Sequence, residues 1–292
     1  MPKGLREIRN RIKSVKSTGQ ITRAMQLVAS SKMKRAQDAA RAGRAYAELL
    51  GEILDTAQAK VGEFSHPLLT KRDVKVRGIL LVTPDKGMAG ALNGNLIRLA
   101  AEQKDAVFVC IGRKGAQALA RSGRKVLADF PVTDRAAFNE VRPAAEYLLK
   151  AFTEGTVDTV EVLFAHFKNT MVQTPRVQQL LPADTLVNQA REFRAKLGLP
   201  EPKIEDDERD MLFEPSAAAI LNELPALFFK QAVHQAVLES KASEFSARMV
   251  AMKAATDNAK KIGAALSLEY NKARQAAITQ EILELTAGAA AQ

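Results

Sequence analysis

The chain has 292 residues, 47% hydrophobic and 26% charged, which is the composition of a soluble globular protein with one or two domains. No apolar run approaches the roughly 20 residues that a membrane-spanning helix needs, so a membrane-spanning protein is excluded. The net charge is +10, and residues 1–44 carry all of it, with 12 Lys and Arg against 2 acidic residues.

Residues 3–61 contain no proline and predict one long helix. Its apolar positions are three and four residues apart, as in an amphipathic helix. They are Leu5, Ile8, Ile12, Val15, Thr22, Met25 and Val28 or Ala29. We expect the helix to end near Gly62, because the residue before Pro67 disfavours helical geometry. Its basic face is compatible with solvent, with nucleic acid, with a membrane surface or with an acidic protein partner.

The centre of the chain alternates between strand and helix patterns. The predicted strands are Val74 to Val82, Ala106 to Ile111, Lys125 to Phe130 and Val157 to Phe167. The predicted helices are Leu92 to Glu102, Gly115 to Arg121 and Phe138 to Phe152. Apolar strands alternating with helices favour a largely parallel sheet covered by helices, which is Rossmann-like in a loose sense. Cys110 lies within one of these apolar strands and is expected to be buried.

The central region lacks the usual motifs of an active site. The turn TPDKGMAGALN, residues 83–93, lacks both the dinucleotide-binding and the Walker patterns, and GRKGA at 112–116 is equally incomplete. The three histidines are far apart in sequence and have no cysteine pair near them. We therefore expect no catalytic residue, no cofactor and no metal ion, and interpret the glycine turn as structural.

Residues 226–292 contain no proline and predict a second long helix. The two terminal helices are expected to pair as an antiparallel coiled coil beside the central α/β domain. The predicted organisation is a first coiled-coil helix at 1–62, the Rossmann-like domain at 72–200, an acidic connection at 201–214 and the last helix at 215–292. Beyond the reach of the first helix, Ile278, Ile282 and Leu285 form an apolar stripe that either frays or is covered by another chain.

Both terminal segments carry longer motifs. The first contains LREIRNRIKSVKSTGQITRAMQLVASSKMKRAQ at 5–37, and the last contains YNKARQA followed by Ile278-Thr279-x-Glu281-x-x-Glu284 and Gly288-Ala289. Together with HFKNTMVQTPRVQQLLP at 166–182, these segments closely resemble the gamma subunit of F-type ATP synthases over essentially the whole chain.

The resemblance implies a rotor rather than an enzyme. Family members form a central stalk inside a ring of three alpha and three beta subunits, and bind the epsilon subunit and the membrane c-ring. Proton flow turns the stalk, and the catalytic residues for ATP synthesis belong to the beta subunits. The implied location is the cytoplasmic face of the bacterial inner membrane, where the chain is peripheral and bound through the complex; its start at Met1 leaves no room for a signal sequence.

The resemblance also implies partner contacts for particular residues. Arg274 and Gln275 resemble family residues that hydrogen-bond a loop of a beta subunit, and Ile278, Ile282 and Leu285 suit an apolar bearing. Met25, with Arg23, Lys32 and Lys34, matches the region that faces an acidic lever of a beta subunit.

Two other classes remain as alternatives. A coiled-coil nucleic-acid-binding or scaffold protein with a basic arm would explain the charge, although the first helix has no aromatic residue before Tyr46. A nucleotide-dependent enzyme would need a phosphate motif that the central domain lacks.

Overall fold

The computed structural model describes residues 3–61, 66–182, 214 and 216–290. Five helices and five strands lie in these ranges. In chain order they are α1 (Lys3–Val61), β1 (Arg77–Val82), α2 (Leu92–Glu102), β2 (Ala106–Ile111), α3 (Arg113–Arg121), β3 (Val126–Phe130), α4 (Phe138–Thr153), β4 (Thr159–Phe167), β5 (Gln173–Leu181) and α5 (Ala217–Ala290).

The strands form a single five-stranded sheet in the order β3-β2-β1-β4-β5. β1 pairs in parallel with β2 and β4, and β2 pairs in parallel with β3. β5 runs antiparallel to β4 at the edge. The predicted α/β fold with a largely parallel, Rossmann-like sheet is therefore confirmed.

Helices cover both faces of the sheet because successive strand side chains point to opposite sides. In β1, Leu80 and Val82 pack with α4 and with the first part of α5, whereas Ile79 and Leu81 pack with α2 and α3. Cys110 is fully buried between the sheet and the helices α2 and α3, as predicted. Burial, followed by the charge of Asp129, raises the pKa of its thiol to about 12.

The strand β5 was not predicted. Its segment QTPRVQQLL is rich in polar residues and contains Pro175, so the sequence pattern alone does not indicate a strand. Pro175 lies opposite Ala165 of β4. Proline lacks an N–H group and is tolerated in a strand that has a neighbour on one side only.

Contacts divide the chain into two compact units. Unit 1 comprises Met1–Ser30 and Arg248–Gln292, and unit 2 comprises Ser31–Ala247. Helices α1 and α5 each contribute residues to both units. The acidic connection predicted at 201–214 lies, apart from Glu214, outside the described residues, so the domain boundaries predicted there remain predictions.

Candidate partner-contact surface

Unit 1 is a pair of antiparallel helical segments with a narrow buried seam. Thr22 and Thr256 meet there through their hydroxyl groups at 2.8 Å. A side-chain carbon placed on Gly19 would lie 3.3 Å from Ala259, and one on Gly263 would lie 3.9 Å from Val15. Each step towards the start of α1 is thus matched by a step towards the end of α5.

This register shows how far the described pairing reaches. Continued from these contacts, it brings Leu5, which is 5% exposed, opposite Ala273. Because α1 begins at Lys3, the part of α5 that follows Gln275 extends past the described start of its partner helix. Ile278 is 43% exposed and Ile282 54% exposed there. The apolar stripe predicted beyond the first helix is therefore exposed at both of these positions, while the side chain of Leu285 lies outside the described residues.

Further large apolar side chains are exposed along both segments of unit 1. They are Ile21, Leu27 and Val28 of α1 and Ile262, Leu268 and Leu283 of α5, between 51% and 65% exposed. Of the two alternatives at the end of the α1 stripe, Ala29 is buried and Val28 points outward. Of these exposed positions, sequence reasoning named only Val28, as a possible member of the pairing stripe; the signal for the others was apolar residues that lie outside that stripe.

Charge adds to this surface. Unit 1 contains 13 Lys and Arg against 5 Asp and Glu. Of the predicted contact residues, Arg23, Arg274 and Gln275 are exposed, and Met25 is half-buried beside the seam. Unit 1 therefore presents a basic surface with exposed apolar residues, the kind of patch that marks a protein-protein interface.

Lys32 and Lys34 belong to unit 2, and their surroundings differ. Lys34 is exposed. Lys32 forms an ion pair with Asp134 and lies 5.8 Å from the centre of the Phe245 ring. Burial would raise the pKa of Asp134, but the hydrogen bond and charge of Lys32, with nearby Lys241, lower it overall. An acidic partner for Lys32 is thus present within the chain itself.

The glycine turn after β1 does not leave the start of α3 open to a phosphate. Asp85 Oδ1 accepts a hydrogen bond from the Arg113 backbone N–H at 3.0 Å, and Thr83 Oγ1 accepts one from Gly115 N–H at 2.8 Å. These are the amide groups with which a helix start would bind an anion. The chain's own side chains hold them at the start of α3. The glycine turn itself leads into α2, whose N-cap residue Ala91 makes no side-chain hydrogen bond, so the structural interpretation of that turn stays a prediction.

The carboxyl ends of β1 and β4 meet at the point where the strand order reverses, which is where doubly wound sheets bind ligands. Here α5 lies against the end of β4. The Ser243 hydroxyl donates to the Ala165 carbonyl at 2.8 Å, and the Phe167 N–H donates to Glu239 Oε1 at 3.3 Å.

The histidines occupy separate places. His166 Nδ1 lies 2.7 Å from Glu239, whereas His234 Nε2 lies 2.9 Å from the Ala136 carbonyl. Burial lowers the pKa of His234, and it also lowers the pKa of His66. Within the described ranges, no three His, Cys, Asp or Glu residues converge as metal ligands would. The described helices also include none that is long and apolar enough to cross a membrane.

Comparison with known proteins identifies the family. The family described as "ATP synthase" matches residues 4–292. An "ATP synthase gamma chain" from Opitutus terrae is 53% identical over 283 residues, covering 97% of this chain and 96% of the relative. Relatives with the same name from Akkermansia muciniphila and Ralstonia nicotianae are 44% and 42% identical; alignments cover 97% of both chains for the first and 99% for the second.

Solved structures share the fold. A chain in the structure of the Euglena gracilis mitochondrial ATP synthase OSCP/F1/c-ring superimposes with a TM-score of 0.66 at 20% identity, covering 100% of this chain and 95% of that one. A chain from the Tetrahymena thermophila mitochondrial ATP synthase central stalk and c-ring gives a TM-score of 0.58 at 24% identity, covering 80% and 99%. With the family match and relatives along nearly its whole length, this chain belongs to the ATP synthase gamma chain family.

Proposed function

We propose that this chain is the central-stalk rotor subunit of an F-type ATP synthase. It couples proton-driven rotation of the membrane ring to ATP synthesis in a surrounding ring of alpha and beta subunits. The observation that carries this proposal is the surface of unit 1, where a long helix pair exposes apolar and basic side chains to a partner.

The distribution of these side chains suits a partner that surrounds the helix pair. Both helices carry exposed apolar residues, with Leu27 of α1 65% exposed and Leu268 of α5 58% exposed. A partner docked on one helix alone would leave part of this surface in water. A ring of three alpha and three beta subunits contacts the pair from several sides.

Charge complementarity supports contact with the acidic lever of a beta subunit. Arg23 and Lys34 are exposed and are free to pair with carboxylates of another chain. Met25 supplies an apolar contact beside them. Lys32 has its nearest carboxylate in Asp134, so we expect its contribution to a beta subunit to be smaller than that of Arg23 or Lys34.

The end of α5 supports a contact deeper in the ring. Arg274 and Gln275 lie where the pairing with α1 ends, so their hydrogen-bond partners come from a beta-subunit loop. Ile278 and Ile282 then form an apolar bearing. Hydrogen bonds to charged groups contribute about 1.5–3 kcal/mol each, enough to hold one rotary position against its neighbours.

In this proposal the chain is a non-catalytic subunit that binds the epsilon subunit and the membrane c-ring. It resides on the cytoplasmic face of the bacterial inner membrane, peripheral and bound through the complex. The alternative of a nucleic-acid-binding protein has less support, because Tyr270 is the one aromatic residue in the sequence of unit 1, too few for base stacking.

Affinity purification tests this function directly. The tagged chain should recover alpha and beta subunits in threefold excess over itself, together with one epsilon subunit. The isolated chain should hydrolyse no ATP. Recovery of nucleic acid in place of these subunits, or turnover above a heat-inactivated control, would reject the rotor.

The contact residues need a separate test. Arg274→Ala combined with Gln275→Ala should leave assembly normal and impair proton-coupled ATP synthesis. Asn258→Ala combined with Ser267→Ala is a matched control, since both residues are exposed and uncharged on the paired part of α5. Equal synthesis by the two double variants and the wild type would show that Arg274 and Gln275 make no such contact.

A further inference from the structure

One stretch of α5 buries polar side chains almost continuously. Within Glu239–Ser246, six polar residues are at most 9% exposed: Glu239, Ser240, Lys241, Ser243, Glu244 and Ser246. The preceding turns of the same helix bury Phe229, Val233 and Val237. Burying a polar group is unfavourable unless it gains a hydrogen bond, so this stretch holds its neighbours through hydrogen bonds as well as apolar contact.

Three of these residues bind the end of β4 and the turn that follows it. Ser243 donates to the Ala165 carbonyl, and Ser246 donates to the Thr170 carbonyl, both at 2.8 Å. Glu239 accepts from the Phe167 N–H at 3.3 Å and also lies against His166, as described above. We call Glu239, Ser243 and Ser246 the polar clamp. Their spacing of four and three residues puts them on one face of α5.

The receiving turn is itself held in shape. Asn169 Oδ1 accepts hydrogen bonds from the backbone N–H groups of Met171, at 2.9 Å, and Val172, at 2.8 Å. Gln173 Nε2 donates to the Thr170 carbonyl at 2.9 Å, the same oxygen that Ser246 binds. The clamp therefore bonds α5 to a braced part of the sheet edge.

Hydrogen bonds resist rotation of a helix more steeply than apolar contacts do. A side-chain atom lies about 5 Å from the helix axis, so a twist of roughly 15° moves it by about 1.3 Å. Directed along a 2.8 Å bond, such a shift lengthens it to about 4.1 Å, beyond hydrogen-bond distance; directed across the bond, it bends the bond by about 25° and weakens it. Apolar side chains keep most of their contact area through the same movement, because the hydrophobic effect has no direction.

We propose that Glu239, Ser243 and Ser246 are positioning residues that lock α5 against twisting on the sheet, so that torque passes from the central α/β domain into the long helix. This inference rests on the rotor function proposed above. If α5 could rotate relative to the sheet, part of the rotation of the central domain would not reach the far end of the helix. The clamp is the place where the central α/β domain holds α5, the helix that continues to Ala290.

The test compares work under load with turnover without load. Ser243→Ala combined with Ser246→Ala is introduced into the complete complex in vesicles. We expect normal assembly and normal ATP hydrolysis by the detached catalytic complex, but a several-fold loss of ATP synthesis driven by a proton gradient. Ser267→Ala is the matched control, because this exposed hydroxyl bonds only to Gly263 of its own helix.

A mechanical readout separates torque transfer from folding. A bead attached through Lys104→Cys reports the angle of the central domain, and buried Cys110 does not compete for the label. With the catalytic ring holding the far end of α5, the double serine variant should show wider angular fluctuations than the wild type and the Ser267→Ala control. Fluctuations of equal width would overturn the proposal.

The outcomes also separate this inference from the rotor function. If the wild-type chain recovers no alpha and beta subunits, the rotor proposal fails. If the wild type is coupled, and the double variant assembles with an unchanged ratio of synthesis to hydrolysis, the clamp fails and the rotor stands. If the double variant does not assemble, the single serine variants are measured, and unchanged ratios or failed assembly in both overturn the clamp.

Discussion

Gly263 offers a direct way to strengthen the helix pair of unit 1. It lies inside α5 and its backbone does not adopt the left-handed region that favours glycine. A methyl group added there would meet Val15 Cγ1 at 3.9 Å, an ordinary van der Waals contact. Gly263→Ala should therefore fit without displacing a neighbour.

The expected gain follows from helix propensity. Glycine in a helix interior is less favourable than alanine by about 0.8–1.0 kcal/mol, mainly through the greater backbone freedom that it loses. The contact with Val15 adds a small further gain. We expect the free energy of local opening around Gly263 to rise by about 1 kcal/mol, which corresponds to roughly fivefold slower amide hydrogen exchange.

Gly19→Ala provides the contrast. Its added methyl group would lie 3.3 Å from the Ala259 side chain, closer than nine in ten real contacts of this kind. The gain in propensity should then be cancelled by strain, with exchange in α1 unchanged or faster. The measurement is hydrogen exchange of the full chain followed by mass spectrometry. Equal slowing in both variants would show that packing in the seam does not limit helix approach, and no slowing in Gly263→Ala would refute the argument from propensity.

Three further predictions concern single interactions. Arg77 binds both carboxylate oxygens of Glu161, which is 7% exposed. Arg77→Met should therefore lower the free energy of unfolding by about 3 kcal/mol, the low end for a broken buried pair, because the Arg77 side chain is 29% exposed. In urea titrations, adding Glu161→Leu should recover most of this loss. Thr22→Val and Thr256→Val should each lower the free energy of unfolding by about 0.5–1 kcal/mol, because the hydroxyl that remains still donates a hydrogen bond to a carbonyl of its own helix. A double-mutant cycle should show that the two losses do not add. Hydrogen bonds from two backbone N–H groups lower the pKa of Asp158 below its ordinary value of 3.8. The stability that Asp158 contributes is therefore present above pH 3.8 and is lost as the pH falls through the pKa of the folded state. Asp158→Asn should make the free energy of unfolding less dependent on pH in that acid range, and an acid profile identical to that of the wild type would contradict this.

The fold was predictable wherever the pattern was strong and local. The bounds of α2 and β2 match the prediction at both ends, because a helical stripe and a continuous apolar run define them. β5 was missed because edge strands tolerate proline and polar residues, and their pairing depends on a neighbour distant in sequence. α1 is described as far as Val61, and residues 62–65 lie outside the described ranges, so its predicted end near Gly62 stays a prediction.

The candidate surface was predictable only in part. The exposure of Ile278 and Ile282 could be predicted because the heptad pattern of the last helix continues past the described start of the first. The pairing of Lys32 with Asp134 joins residues 102 positions apart, and no local pattern indicates it. The polar clamp was missed for a related reason, since serine in a helix is buried or exposed according to which face meets the sheet.

The two segments of unit 1 are separated in sequence by the whole of unit 2. During synthesis, the first segment leaves the ribosome long before Arg248 is made. At about 5–20 residues per second, this interval lasts roughly 10–45 s. For that time the apolar seam from Leu5 to Ala29 has no partner within the nascent chain, so this first segment is a place where aggregation or chaperone binding is expected during synthesis.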